Sequence, residues 1–200
     1  IPMTQSTLAL ILFLLPLAYS PGPGNLFFAA NGARFGFRAT IRANLGYHLA
    51  TWIVTFAIGL GFAAILARGP ALFLALKWVG GIYVLILALR FLRAGAYGGA
   101  AIARPAGFAD GAILLILNPK AYAIIALMYS QFLGAAGAGD LGAIGWISTV
   151  FTLNNLAAFA LWTLAGDRLA AGFRDAVAAR RMNLISGALL AGVALWMLAT

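Results

Sequence analysis

Six long apolar runs, separated by short stretches rich in arginine, glycine or proline, cover about 4–33, 41–67, 71–92, 108–133, 143–165 and 182–200. An α-helix crosses the hydrocarbon core of a bilayer in ~20 residues, and each run is near that length or above it. None alternates as a barrel strand would, so the pattern predicts helices. The first run is too long for one straight crossing, and the first and fourth each carry an interruption. In the first it is Ser20-Pro21-Gly22-Pro23-Gly24-Asn25; in the fourth it is Asn118-Pro119-Lys120. Proline in a helix interior removes a hydrogen bond and clashes with the preceding turn, so each motif is expected to end one half-helix and begin another. Ser20 and Asn118 are the N-cap candidates, ahead of Pro21 and Pro119 at the first helical position.

Composition turns these helices into membrane spans. The 200 residues are 64% hydrophobic and 8% charged, with a mean hydropathy of +1.01, which leaves too little polar residue to cover a soluble domain. The 24 glycines suit helices that pack closely in lipid, with Gly59-Leu60-Gly61 and Gly80-Gly81 as close-packing candidates. The absence of cysteine removes disulfides, thiolate metal sites and cysteine nucleophiles. The apolar N-terminus reaches Ala18-Tyr19-Ser20, a sequence suited to leader cleavage, but it lacks a basic leading region and proline follows, so it reads as part of a true span.

The net charge of +9 raises the question of nucleic acid, and its placement answers against it. Ten of the 13 bases fall in the first, third and fifth connections: Arg34, Arg38 and Arg42, then Arg90, Arg93 and Arg104, then Arg168, Arg174, Arg180 and Arg181. The positive-inside rule puts those connections, including 93–107 and 166–181, in the cytoplasm and both termini outside. Trp78, Trp146 and Trp196 then fall near the outer interface. Leu169, Phe173 and Val177 among the arginines of 166–181 predict a short amphipathic helix on the membrane surface. The whole is predicted to be one all-α integral membrane domain over 1–200. Its six transmembrane helices form two inverted three-helix repeats, with helices 1 and 4 broken at matched places, the arrangement that marks a transporter binding site.

The chemistry follows from the breaks. Pro21 lies 13 positions before Arg34, roughly 20 Å of helix, which puts the first break near the midplane. The second half-helices would point their amide-rich N-termini at a common cavity suited to an anionic group. Lys120 stands in the first turn of its half-helix, where the dipole repels it, and only four acidic residues exist to pair with it. A substrate carboxylate is the expected partner; the plainer reading is a lysine that snorkels to a wet crevice. His48 could titrate near neutral pH and couple transport to protons, or simply pack with its hydrogen bonds made. Asp110 is a second proton-carrying candidate or an interfacial helix start. Tyr83 offers a hydroxyl to substrate or packs at the interface. Asn154 and Asn155, with Thr149 and Thr152, put polar groups inside the fifth span, either joining helices or lining the path.

The residues SPGPGNLFFAANGARFGFRA, then LKWVGGIYVLILALRFLR, then FADGAILLILNPKAYA and a following Gln131-Phe132 resemble the LysE/RhtB family of amino-acid exporters. The resemblance runs from about Leu17 to Leu133 and rests on PGP, Lys77-x-x-Gly80-Gly81-x-Tyr83 and NPK occurring in order. It implies a six-helix inner-membrane carrier that expels amino acids by exchange for protons. Ser130 stands where the family often has proline. Ser20, Pro21, Gly22, Pro23, Gly24, Asn25, Asn118, Pro119, Lys120 and Tyr83 are the substrate-binding candidates. The expected partners are a small amino acid and membrane lipid, with no nucleic acid, metal or cofactor, and a homo-oligomer is compatible with the sequence. A passive channel or assembly subunit is the alternative. An enzyme is not expected, since one histidine without cysteine or glutamate makes no catalytic cluster. No P-loop is present to drive transport by ATP.

Overall fold

The computed structural model describes residues 3–61, 104–133 and 140–171 throughout, with single positions between 78 and 92 and between 180 and 195. The regular elements among them are helices: α1 (Met3–Tyr19), α2 (Pro23–Phe35), α3 (Phe37–Leu60), α4 (Phe108–Ile116), α5 (Pro119–Phe132) and α6 (Leu141–Ala171). Two of these, α3 and α6, are long and apolar enough to cross a bilayer alone. The pairs α1 with α2 and α4 with α5 qualify only together, bent by 65° and 62° at their breaks. Tyr83 and Gly80-Gly81 lie outside the described residues.

Local chemistry sets most of the helix ends. Asn118 caps α5 as expected, its side chain accepting from the Lys120 amide, with Pro119 in the first turn. Asp140 does the same for α6, its Oδ1 accepting from Gly142 N at 2.9 Å and Ala143 N at 3.1 Å. Ser20 does not cap α2. That helix starts at Pro23 from an extended Gly22 (φ −167°, ψ 173°). The reason is the second proline, which disfavours helical backbone in the residue before it and so stops a helix from starting at Pro21.

Two other expectations change. The basic connection at Arg34–Arg42 shrinks to the single residue Gly36, whose φ of +83° suits glycine. Gly36 N donates to Gly32 O at 2.9 Å, and Asp167 Oδ2 accepts from Phe37 N at 3.1 Å. Past 165, where the fifth apolar run ends, α6 continues as one helix to Ala171. Gly166 does not end the helix there because its bare Cα lets α6 lie against α2: a Cβ would strike Ala29 O, as one on Gly32 would strike Thr163 O. The α3 and α4 backbones approach in the same reciprocal way, at Gly46 against Phe108 O and Gly111 against Ala43 O.

The helix surfaces are arranged for lipid. On α3, Leu45, Leu49 and Ile53 are more than half exposed, while Asn44, His48, Thr51 and Thr55 are buried. In water that pattern would be inside out; in a bilayer it hides polar groups from hydrocarbon. Two apolar clusters result. One packs α2, α3, α4 and α6 around Phe28, Tyr47 and Phe159, and the other packs α1, α5 and α6 around Leu14, Ile125, Tyr129 and Phe151. At one end of the bundle, Ala106 N donates to Asn31 Oδ1 at 3.4 Å, and Phe37 N to Asp167, so the basic stretches around 34–38, 104 and 168 meet there.

Candidate functional site

A helix end leaves carbonyls without their intrahelical donors, and α1 ends inside the bundle. Each of its last carbonyls finds a donor brought from outside the helix. Leu17 O accepts from Ser20 Oγ at 3.0 Å, Ala18 O from Asn25 Nδ2 at 3.0 Å and Tyr19 O from Trp162 Nε1 at 3.1 Å. Ser20 O accepts from Lys120 Nζ at 2.6 Å, and the same ammonium reaches Ser20 Oγ at 3.0 Å and Pro21 O at 3.5 Å. Lys120 thus stretches from the start of α5 to the negative end of α1. That end offsets the repulsion a cation meets in the first turn of its own helix.

Gly22 makes the crossing possible, since a Cβ there would lie 2.7 Å from Lys120 Cδ. Gly24 serves in a similar way, leaving room for the Phe159 ring 2.7 Å from where its Cβ would be. Pro21 stands between the helices and Pro23 opens α2. At the other break, Asn118 Oδ1 accepts from Lys120 N at 3.1 Å and its Nδ2 donates to Tyr47 Oη at 2.9 Å. The structure therefore brings together Ser20, Pro21, Gly22, Asn118 and Lys120, with Asn25 one turn away.

The breaks enclose a crevice of about 250 Å³, mouth included, whose enclosed part is no larger than a water molecule. Its polar lining is Asn25, Tyr47, Asn118, Lys120 and Asn155. Leu17, Ile124, Phe151 and Phe159 supply apolar walls, so it lies on the seam between the two clusters. It holds a cation, three amides and a phenol, and no carboxylate among the described residues lines it.

His48 lies behind this lining, buried and edge-on to Phe159 at 5.3 Å. Its Nδ1 is 2.8 Å from Asn44 O, which can only accept, so that nitrogen carries the hydrogen. Nε2 then faces Asn155 Nδ2 at 3.5 Å with its lone pair. Asp110 lies elsewhere, at the start of α4, accepting from Gly107 N at 2.7 Å and Arg104 Nη1 at 2.8 Å. Tyr47, Phe159 and Trp162 are site residues that sequence reading missed. A signal existed for the first: Tyr47 falls on the same face of α3 as Asn44, His48 and Thr51, opposite the leucines.

The family model of the LysE type translocator matches residues 15–200. The chain belongs to the LysE family. This LysE-family chain is 30% identical over 179 residues to an uncharacterised membrane protein of Pseudomonas aeruginosa, covering 84% of this chain and 80% of that one. It is 31% identical over 184 residues to cysteine/O-acetylserine efflux proteins of Salmonella typhimurium and Salmonella choleraesuis, covering 89% of this chain and 90% of each. No solved structure matches it.

Proposed function

We propose that this LysE-family membrane protein is a secondary exporter of small neutral amino acids or similar zwitterions across a bacterial inner membrane. One observation carries the reading: an ammonium, Lys120 Nζ, lies 2.6 Å from Ser20 O across the two helix breaks. A zwitterion presents the same two kinds of group. Its carboxylate suits Lys120, and its ammonium suits the Ser20 and Pro21 carbonyls. Substrate would replace the internal contact end for end, drawing the breaks apart as it enters a crevice that is nearly closed without it. The cost of burying Lys120 in lipid is then offset in both states, by carbonyls when empty and by carboxylate when loaded.

With no carboxylate among the described lining residues, neutral substrates are favoured over dibasic ones, because a second substrate cation would go unpaired. The names of the Salmonella relatives point to the same class. The fold proposed for transport is six spans in two inverted repeats, the basic end cytoplasmic and both termini outside. We assign coupling to proton exchange at His48: a proton taken at Nε2 is stabilised once the Asn155 amide turns its oxygen inward. Asp110, already bound to Arg104 and Gly107, is the weaker candidate.

Efflux from proteoliposomes tests this. Cysteine and O-acetylserine should leave loaded vesicles against their gradient when a proton gradient is imposed, lysine should not, and an uncoupler should abolish the effect. Lys120→Ala should lower export by roughly 100-fold with normal insertion. Full export by that variant would remove Lys120 from the site. Flux that never saturates and ignores the uncoupler would favour the passive-channel alternative.

A further inference from the structure

Tyr47 is 1% exposed, and its ring is fixed by Phe159 at 4.6 Å, Phe28 at 5.8 Å and His48 at 5.2 Å. Tyr47 nevertheless lines the crevice, its hydroxyl 2.9 Å from the Nδ2 of Asn118, another lining residue. The direction of its one hydrogen bond is decided by its neighbour. Asn118 Oδ1 is taken by the Lys120 amide, so Nδ2 must face Tyr47, and the phenol oxygen accepts. The phenol proton is thereby left over, and no described protein atom accepts it. Gly24 lets α2 pass close to this hydroxyl, since a Cβ there would lie 3.3 Å from Tyr47 Oη. A buried O–H at the lining of a crevice, with no protein acceptor, is a donor awaiting one.

We infer that Tyr47 is a substrate-contacting residue, donating its phenolic proton to the carboxylate whose charge Lys120 neutralises. The inference rests on the exporter reading of the same crevice. Asn118 joins the two anchors, holding the Lys120 backbone with its oxygen and aiming the Tyr47 hydroxyl with its nitrogen. A neutral donor is suited to this position because it adds a hydrogen bond without placing a second cation beside Lys120. A bond to a carboxylate is about twice as strong as one to a neutral amide, so Tyr47 also separates amino acids from their carboxamides.

Tyr47→Phe removes the hydroxyl and keeps the packed ring. In proteoliposomes its KM for a transported amino acid should rise roughly 10- to 100-fold while the protein level and maximal rate hold. Its preference for the amino acid over the carboxamide should fall by about the square root of that factor, roughly 3- to 10-fold. An unchanged KM, or a raised KM with the carboxamide discrimination intact, overturns the assignment, the second result marking a structural role only. Lys120→Ala runs alongside. If it is inactive while Tyr47→Phe is normal, Tyr47 alone is wrong; if it exports normally, the site reading itself fails. Should Tyr47→Phe not fold, wild-type protein labelled with 3-fluorotyrosine answers instead. One ¹⁹F signal should move with the amino acid and far less with its carboxamide, and no moving signal overturns the inference.

Discussion

The two breaks turn the chain by nearly the same angle, 65° between α1 and α2 and 62° between α4 and α5, yet their backbones are satisfied by different means. Between α4 and α5 the closure is local. Leu117 N donates to Ile113 O, Asn118 N to Leu115 O, Ala121 N to Asn118 O, and Tyr122 Oη to Ile116 O, all within six residues. Between α1 and α2 much of the closure is borrowed: Asn25 reaches back from α2, Trp162 comes from α6 and Lys120 from α5. A break closed by its own residues keeps its shape whatever its neighbours do. One closed in part by two other helices can be reshaped when either of them moves, as a site that must open and close requires.

The comparison predicts that damage at α4–α5 is concentrated in one residue. Asn118→Ala removes the cap of α5 and also leaves the buried Tyr47 oxygen without its donor, so both penalties fall together. A loss of about 2–4 kcal/mol is expected, from ~1 for the cap and ~1–3 for the unsatisfied partner. In a chain of this size that lowers the midpoint of thermal unfolding in detergent by roughly 4–16 °C. A drop of a degree or less would show that the break does not depend on Asn118.

The next largest effect lies at α1–α2. Asn25→Ala strips one donor, leaving Ala18 O bare in a buried site, for about 1–2 kcal/mol. Because Lys120 and Trp162 still hold the neighbouring carbonyls, the change should weaken the site before it unfolds the protein. Substrate KM is therefore expected to move more than thermal stability does. Equal losses of stability in the Asn25 and Asn118 variants would erase the distinction between the breaks.

The same contrast explains what can be read from sequence. The broken runs and the Asn118 cap are legible because proline and N-cap chemistry act within a few residues. The start of α2 is not, because Ser20 and Gly22 compete as caps and the deciding proline is the second one. Lys120 is legible as a cation in need of an anion, but the carbonyls that hold it belong to a residue 100 positions away. Tyr47 and Trp162 are harder still, since only helix packing brings them to the breaks. The extension of α6 past Gly166 has a similar cause: that glycine is used for close approach to Ala29, which no local rule distinguishes from a helix end.

Trp162 gives the smallest and most discriminating test. Its indole N–H donates to Tyr19 O at 3.1 Å, and its apolar body is part-buried on α6. Trp162→Phe keeps an aromatic ring there and removes the donor, so the expected cost is about 1 kcal/mol. The effect should also be local. Exchange of the α2 amides near the break should quicken, because α1 and α2 lose one of the ties that hold their angle, while the α5 amides beyond Asn118 stay protected. If the α5 amides quicken equally, the two breaks open as one unit and the borrowed closure has no independence from the local one.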